Sequence, residues 1–269
     1  MTILCVRGHI DTIAGGLSAG GTMFSPDVLA ILVAAAVAGG FVVGIAGFGG
    51  APVILSIWLL VLEPTTAAPA LMLASVIYLL PALWLIRSGI RVSRLVPFLI
   101  GAAIGLPIGT QLLVALSSQQ IKIGIGALLI VYAVVRLFFF SQYTLPLAGR
   151  IARLADAGLG VIAGAICGTA AVPGPVFSMW CGMRGWTKAE QRGVYQPLNF
   201  LVAGMSLISF AGFGLMNERV YTVAAWTAPA VVAGILIGTP LYNRMSDDTF
   251  RTVILVLLAM IGCFLVATN

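Results

Sequence analysis

The chain is 269 residues long, 61% hydrophobic and only 8% charged, with a formal net charge of +6. A soluble domain carries roughly 25% charged residues, so this composition excludes an ordinary water-soluble enzyme and identifies an integral membrane protein. The 14 Lys and Arg residues lie between apolar runs, where orientation signals belong, and do not point to a nucleic-acid partner.

In chain order, residues 1–26 are polar and glycine-rich and predict a flexible tail. No apolar core of signal-peptide length follows Arg7; the alternative is a misplaced start, with Met23 as the initiator. The first membrane repeat, 27–143, reads as a helix over 28–46, a turn at 47–50, a short helix over 51–62 and helices over 66–86, 95–116 and 121–140. A basic cytoplasmic linker is expected at 144–155. The second repeat, 156–269, reads as a helix over 156–168, a turn at 169–172, a short helix over 173–184 and helices over 192–212, 219–240 and 249–267. The expected fold is therefore an all-α integral membrane protein of two repeats, each a glycine/proline-broken hairpin plus three transmembrane helices.

The breaks are Gly44-Ile45-Ala46-Gly47-Phe48-Gly49-Gly50-Ala51-Pro52 and Gly164-Ala165-Ile166-Cys167-Gly168-Thr169-Ala170-Ala171-Val172-Pro173. They match at an offset of 121, Gly47 with Gly168 and Pro52 with Pro173. Gly105–Leu112 matches Gly234–Leu241 at an offset of 129, as Asp27 matches Asp156. The uncharged run 28–62 would be roughly 52 Å long as a straight helix at ~1.5 Å per residue, too long for a hydrocarbon core of about 30 Å. It is either one bent crossing or a hairpin. With single crossings the Lys and Arg residues divide 8 to 6 between the two sides. With hairpins Arg87, Arg91, Arg94, Arg136, Arg150, Arg153, Arg184, Lys188, Arg192, Arg244 and Arg251 share one side, leaving Arg7, Lys122 and Arg219 on the other. An 11-to-3 division favours hairpins with the basic loops cytoplasmic. Each half then has five membrane segments, so the repeats are inverted and both termini lie outside.

Paired breaks in corresponding places point to a transporter's substrate site. Irregular backbone at membrane depth is tolerated only where protein or a polar cavity satisfies it. Gly47, Gly49 and Gly50 accept positive φ, and Pro52 suits the first turn of a helix. Pro173 or Pro175 plays the same part in the second half. Two short-helix N-termini, each with about half a positive charge, would thus face the interior and hold an anion on backbone N–H groups. The candidate substrate residues are Gly47, Phe48, Gly49, Gly50, Ala51, Pro52, Gly168, Thr169, Ala170, Pro173 and Gly174, with Ser75, Gln196 and Asn199 on the following helices; Thr169 would add a hydroxyl. Gly101, Gly105 and Gly109, and Gly234 with Gly238, read as helix-packing glycines. Arg136 reads as snorkelling to the interface. All eight acids are expected at loops or helix ends, which disfavours proton coupling through a buried carboxylate.

The first break resembles the first-helix signature of the TauE/SafE family of bacterial membrane proteins. Gly105–Leu112 resembles the family's next recurring pattern, and Gly160–Pro175 is a divergent second copy. The resemblance spans roughly 28–267. It implies export of sulfite or an organosulfonate across the bacterial inner membrane, by a non-enzyme with no cofactor and no metal. The partners implied are a small anionic solute and the lipid bilayer, with no nucleic acid and a possible homo-oligomer. The alternatives are a carrier of a different solute, including uptake or a non-sulfur substrate, and a non-transporting scaffold. An intramembrane enzyme lacks support: there is no Gly-x-Ser-x-Gly elbow, no histidine but His9, and no paired acids.

Overall fold

The computed structural model describes residues 24–46, 49–85, 92–138, 145, 147–184, 186 and 188–241, with scattered helical residues between 256 and 267. Among the described residues there are helices and no strands. The helices are α1 (Pro26–Ala46), α2 (Gly50–Trp58), α3 (Pro64–Leu85), α4 (Val92–Ala115), α5 (Ser118–Phe138), α6 (Gly149–Ala170), α7 (Gly174–Met183), α8 (Lys188–Gly212) and α9 (Glu218–Gly238), followed by a 3-10 turn at Thr239–Leu241. Among the described residues, six stretches are long and apolar enough to cross a membrane: Pro26–Ile45, Val92–Ala115, Ser118–Val135, Gly149–Ala170, Gly193–Gly212 and Glu218–Gly238. Leu154, Ile208 and Leu236 are 70%, 75% and 68% exposed. Such side chains suit contact with hydrocarbon rather than water.

The run 28–62 is a hairpin. Its return helix α2 lies antiparallel on α1: a Cβ at Gly39 would strike Ile54, one at Gly50 would strike Val43, and Trp58 Nε1 donates to Leu32 O at 3.2 Å. The second hairpin closes at the same point, where Trp180 Nε1 of α7 donates to Asp156 Oδ1 of α6 at 2.7 Å. Trp58 is completely buried, as are Phe98 and Phe177, which meet edge to face with centroids 6.0 Å apart.

Two glycine seams join the halves reciprocally. The most extensive contacts are α4 on α6 and α9 on α1. In the first seam Gly101, Gly105 and Gly109 abut the carbonyl oxygens of Ala157, Val161 and Ala165, while Gly160, Gly164 and Gly168 abut those of Phe98, Ala102 and Leu106. In the second, Gly234 and Gly238 abut Val37 O and Phe41 O, and Gly40 and Gly44 abut Val231 O and Ile235 O. Contacting residue numbers rise together in both seams, so the paired helices run parallel. A methyl at any of these glycines would drive the backbones apart, which is why small residues mark close helix contacts in membranes.

The seams correct the sequence alignment of the halves. α4 and α9 correspond at 129, as expected. α1 and α6 correspond at 124: Gly40 with Gly164, Gly44 with Gly168, Leu32 with Asp156. Gly168 therefore packs as Gly44 does, and Asp156 takes the place of Leu32 rather than of Asp27. The basic segment 144–155 also differs from expectation. From Gly149 onward it forms the first two turns of α6, which puts Asp156 inside a membrane helix and 6% exposed. Most of the helix expected at 249–267 lies outside the described residues, as do the tail to Met23 and the side chain of Arg136.

Candidate substrate cavity

The two breaks are made differently. In the first, Gly49 takes φ 88° and caps α2. In the second, α6 runs on to Ala170, and Ala171 takes the left-handed turn at φ 53°, its N–H bonding Cys167 O at 2.8 Å. Pro173 then leads into α7, with Pro175 in its first turn. Neither short helix has its first turn capped by a side chain. Each leaves N-terminal N–H groups without an intrahelical acceptor.

Both short-helix starts open on one cavity of about 530 Å³. The breaks contribute Gly49, Gly50, Ala51, Pro52, Pro173, Gly174 and Pro175. From α3 come Met72, Ser75, Tyr78 and Leu79, and from α8 Tyr195, Gln196, Asn199 and Ala203. The remaining wall is the α1–α9 seam: Val43 and Gly44, then Val232, Ile235 and Leu236, with Thr239 beyond. This is an apolar chamber with a few polar groups, the usual make-up of a ligand site.

No lining residue is charged. The hydroxyls are those of Ser75, Tyr78, Tyr195 and Thr239; the amides are those of Gln196 and Asn199. Ser75 Oγ donates to Tyr78 OH at 3.4 Å, which leaves the phenolic proton free to donate elsewhere. Gln196 Oε1 and Asn199 Oδ1 are buried without a hydrogen-bond partner among the described residues. Leaving such an atom unsatisfied costs roughly 1–3 kcal/mol, and both amides border the cavity, where a solute or solvent can supply the missing partner. Asn199 faces the start of α7, where a Cβ on Gly174 would be 3.5 Å from its Nδ2.

Of the sequence candidates, Gly49, Gly50, Ala51, Pro52, Pro173, Gly174, Ser75, Gln196 and Asn199 converge on the cavity. Gly47 and Phe48 lie outside the described residues. Gly168, Thr169 and Ala170 are not in the lining. Gly168 is pressed on α4, where a Cβ would lie 2.5 Å from Leu106 O. Thr169 Oγ1 is engaged with Gly109 O at 3.0 Å and Ala165 O at 2.9 Å. These three belong to helix packing because α6 continues two residues further than the break was read to allow. Sequence reasoning missed Tyr78, Tyr195 and Thr239. Tyr78 had a signal, since Ser75 and Tyr78 repeat the three-residue spacing of Gln196 and Asn199 on one helix face. Thr239 had another, as the last residue of the Gly-x-x-x-Gly-Thr pattern.

The charged residues gather elsewhere. Asp156 accepts from Trp180 and lies 4.0 Å from Arg184 Nε, while Arg184 Nη1 donates to Leu147 O at 3.0 Å. Arg94 pairs with Glu190 at 3.2 Å, and its guanidinium lies 4.7 Å over the Trp186 ring. This cluster ties the ends of the second hairpin to α4 and α8 and contributes nothing to the cavity wall.

Compared with known proteins, residues 31–265 match the family profile described as sulfite exporter TauE/SafE. No curated protein and no solved structure matches the chain.

Proposed function

The chain belongs to the TauE/SafE sulfite exporter family, and from that membership we propose that it exports sulfite or an organosulfonate, held in the cavity between the two breaks. Membership itself makes the protein a multi-pass membrane transporter of sulfite or related anions. The observation that carries the finer reading is the meeting of both short-helix starts with six polar, uncharged side chains in one chamber free of carboxylates. An oxyanion needs several donors and no nearby negative charge. First-turn N–H groups of α2 and α7, the Tyr78 hydroxyl and the two amides supply them, and the helix ends add favourable partial charge. A cation would instead seek carboxylates, and Asp156, the buried acid, is turned to Trp180 and Arg184.

We place the protein in the bacterial inner membrane with its basic loops cytoplasmic and its halves inverted. The hairpin of α2 on α1 supports this reading, because two hairpins are what give the 11-to-3 charge division. A negative-inside membrane drives an anion outward by roughly 2.3 kcal/mol per charge per 100 mV, so export needs no further coupling. In proteoliposomes loaded with radiolabelled sulfite or a small organosulfonate, efflux should accelerate when the interior is made negative by a potassium gradient with valinomycin. Efflux that ignores the potential and follows only an imposed pH step would contradict the proposal.

A further inference from the structure

The two glycine seams are built alike but stand differently toward the cavity. Thr110 on α4 and Thr239 after α9 are equivalent, 129 residues apart, and each hydroxyl donates to the carbonyl four residues back: Leu106 O at 2.9 Å and Ile235 O at 2.7 Å. Thr239 is exposed and lines the cavity with Ile235. Thr110 is completely buried, and its Oγ1 meets Ser209 Oγ of α8 at 2.8 Å. Leu106 is 1% exposed. Gly44 lines the cavity and its equivalent Gly168 does not, although both are packed alike, Gly44 on Ile235 O and Gly168 on Leu106 O. Among the described residues, none from α4 or α6 reaches the chamber. One packed seam faces the site and the other is covered by α8.

We propose that the α4–α6 seam is the second wall of the substrate path, covered here by α8 at the Thr110–Ser209 hydrogen bond, and that it is uncovered as the α1–α9 seam becomes covered. The proposal rests on the transporter reading and adds to it the residues that the opposite-facing conformation presents to the solute. Two structurally repeated units can exchange roles around one site. The exchange needs a contact that breaks reversibly, and one neutral hydroxyl pair is weak enough. Position along α8 supplies the coupling: the helix carries Gln196 and Asn199 in the cavity wall and Ser209 in the seal. A solute that draws on the amides therefore acts on the same helix that holds Thr110.

The test uses the full chain with its four native cysteines replaced by alanine, a single thiol introduced by Leu106→Cys or Ile235→Cys, and a membrane-impermeant maleimide added to right-side-out or inside-out vesicles. The thiol at 235 should react from one face only, and the thiol at 106 from the opposite face, more slowly. Adding Ser209→Ala should raise the rate at 106 at least tenfold and lower the rate at 235. In a second measurement, Thr110→Cys with Ser209→Cys is oxidised to a disulfide; sulfite or sulfonate flux should stop and return on reduction. A thiol at 106 that reacts from neither face in either background, one that reacts from the same face as 235, or full flux through the cross-linked protein would each overturn the proposal. If labelling switches faces as described while wild-type liposomes carry neither sulfite nor sulfonate, the anion assignment fails and the two-walled path stands.

Discussion

Asn199 and Gly174 are where the chemistry of the cavity is most directly exposed to experiment. The amide of Asn199 lies against the first residue of α7, and the space beside Gly174 admits one methyl at ordinary contact distance, 3.5 Å from Nδ2. Alanine is also a better helix residue than glycine by about 1 kcal/mol. Gly174→Ala should therefore leave thermal stability in detergent equal or higher while weakening the apparent affinity for the transported anion several-fold. An unchanged affinity would remove this amide from the site. Gly168 offers no such test. Its missing Cβ is taken by the α4 backbone, with Leu106 O 2.5 Å and Thr110 N 2.7 Å away, so a valine there disrupts the seam whatever the protein carries. The two glycines look alike in the sequence because both stand in a break; only the packing separates them. Ala171 makes the same point from the other side. It does at φ 53° what glycine does in the first break, at a strain of roughly 1–2 kcal/mol, and nothing in its residue type announces it.

At the scale of elements, what was legible in the sequence followed from apolar run lengths and glycine spacing. The hairpin of α1 and α2 was readable because 28–62 is too long for one crossing, and the seam glycines because Gly-x-x-x-Gly repeats at 129. Helix ends were less legible. Arg150 and Arg153 end an apolar run, but a helix is set by backbone hydrogen bonds, and α6 extends through both residues from Gly149. That extension makes Asp156 a buried helix residue instead of a loop acid. Its charge is tolerable because Trp180 donates at 2.7 Å and Arg184 lies nearby. In the first hairpin Trp58 bonds the backbone at Leu32, the residue equivalent to Asp156, so the second hairpin replaces a carbonyl clasp with a carboxylate one. Removing the indole N–H should leave a poorly satisfied charge. Trp180→Phe is expected to cost about 1.5–3 kcal/mol, seen as a lower unfolding temperature in detergent; an unchanged temperature would show the clasp to be idle.

At the scale of the molecule, the account joins a reciprocal architecture to a single uncharged chamber. The pairing of α4 with α6 and α9 with α1 holds each broken helix against the other half, which brings both short-helix starts to one place. The sequence pointed to those starts and to Gln196 and Asn199 beside them, but not to Tyr195, which gains its meaning only when α8 is packed. With hairpins in both halves, a thiol reporter in the 87–94 segment should be reached by an impermeant reagent only from the cytoplasmic face, and labelling from outside would reverse the orientation. The central claim is that a negative solute is bound by neutral donors between the breaks. Its most direct test is the concentration dependence of sulfite and organosulfonate flux in proteoliposomes for the wild type and for Gln196→Ala combined with Asn199→Ala, matched for inserted protein. The double variant should need at least tenfold more anion for half-maximal flux, with the fold intact by thermal unfolding. Equal half-saturation in the two proteins would mean that the solute passes somewhere else.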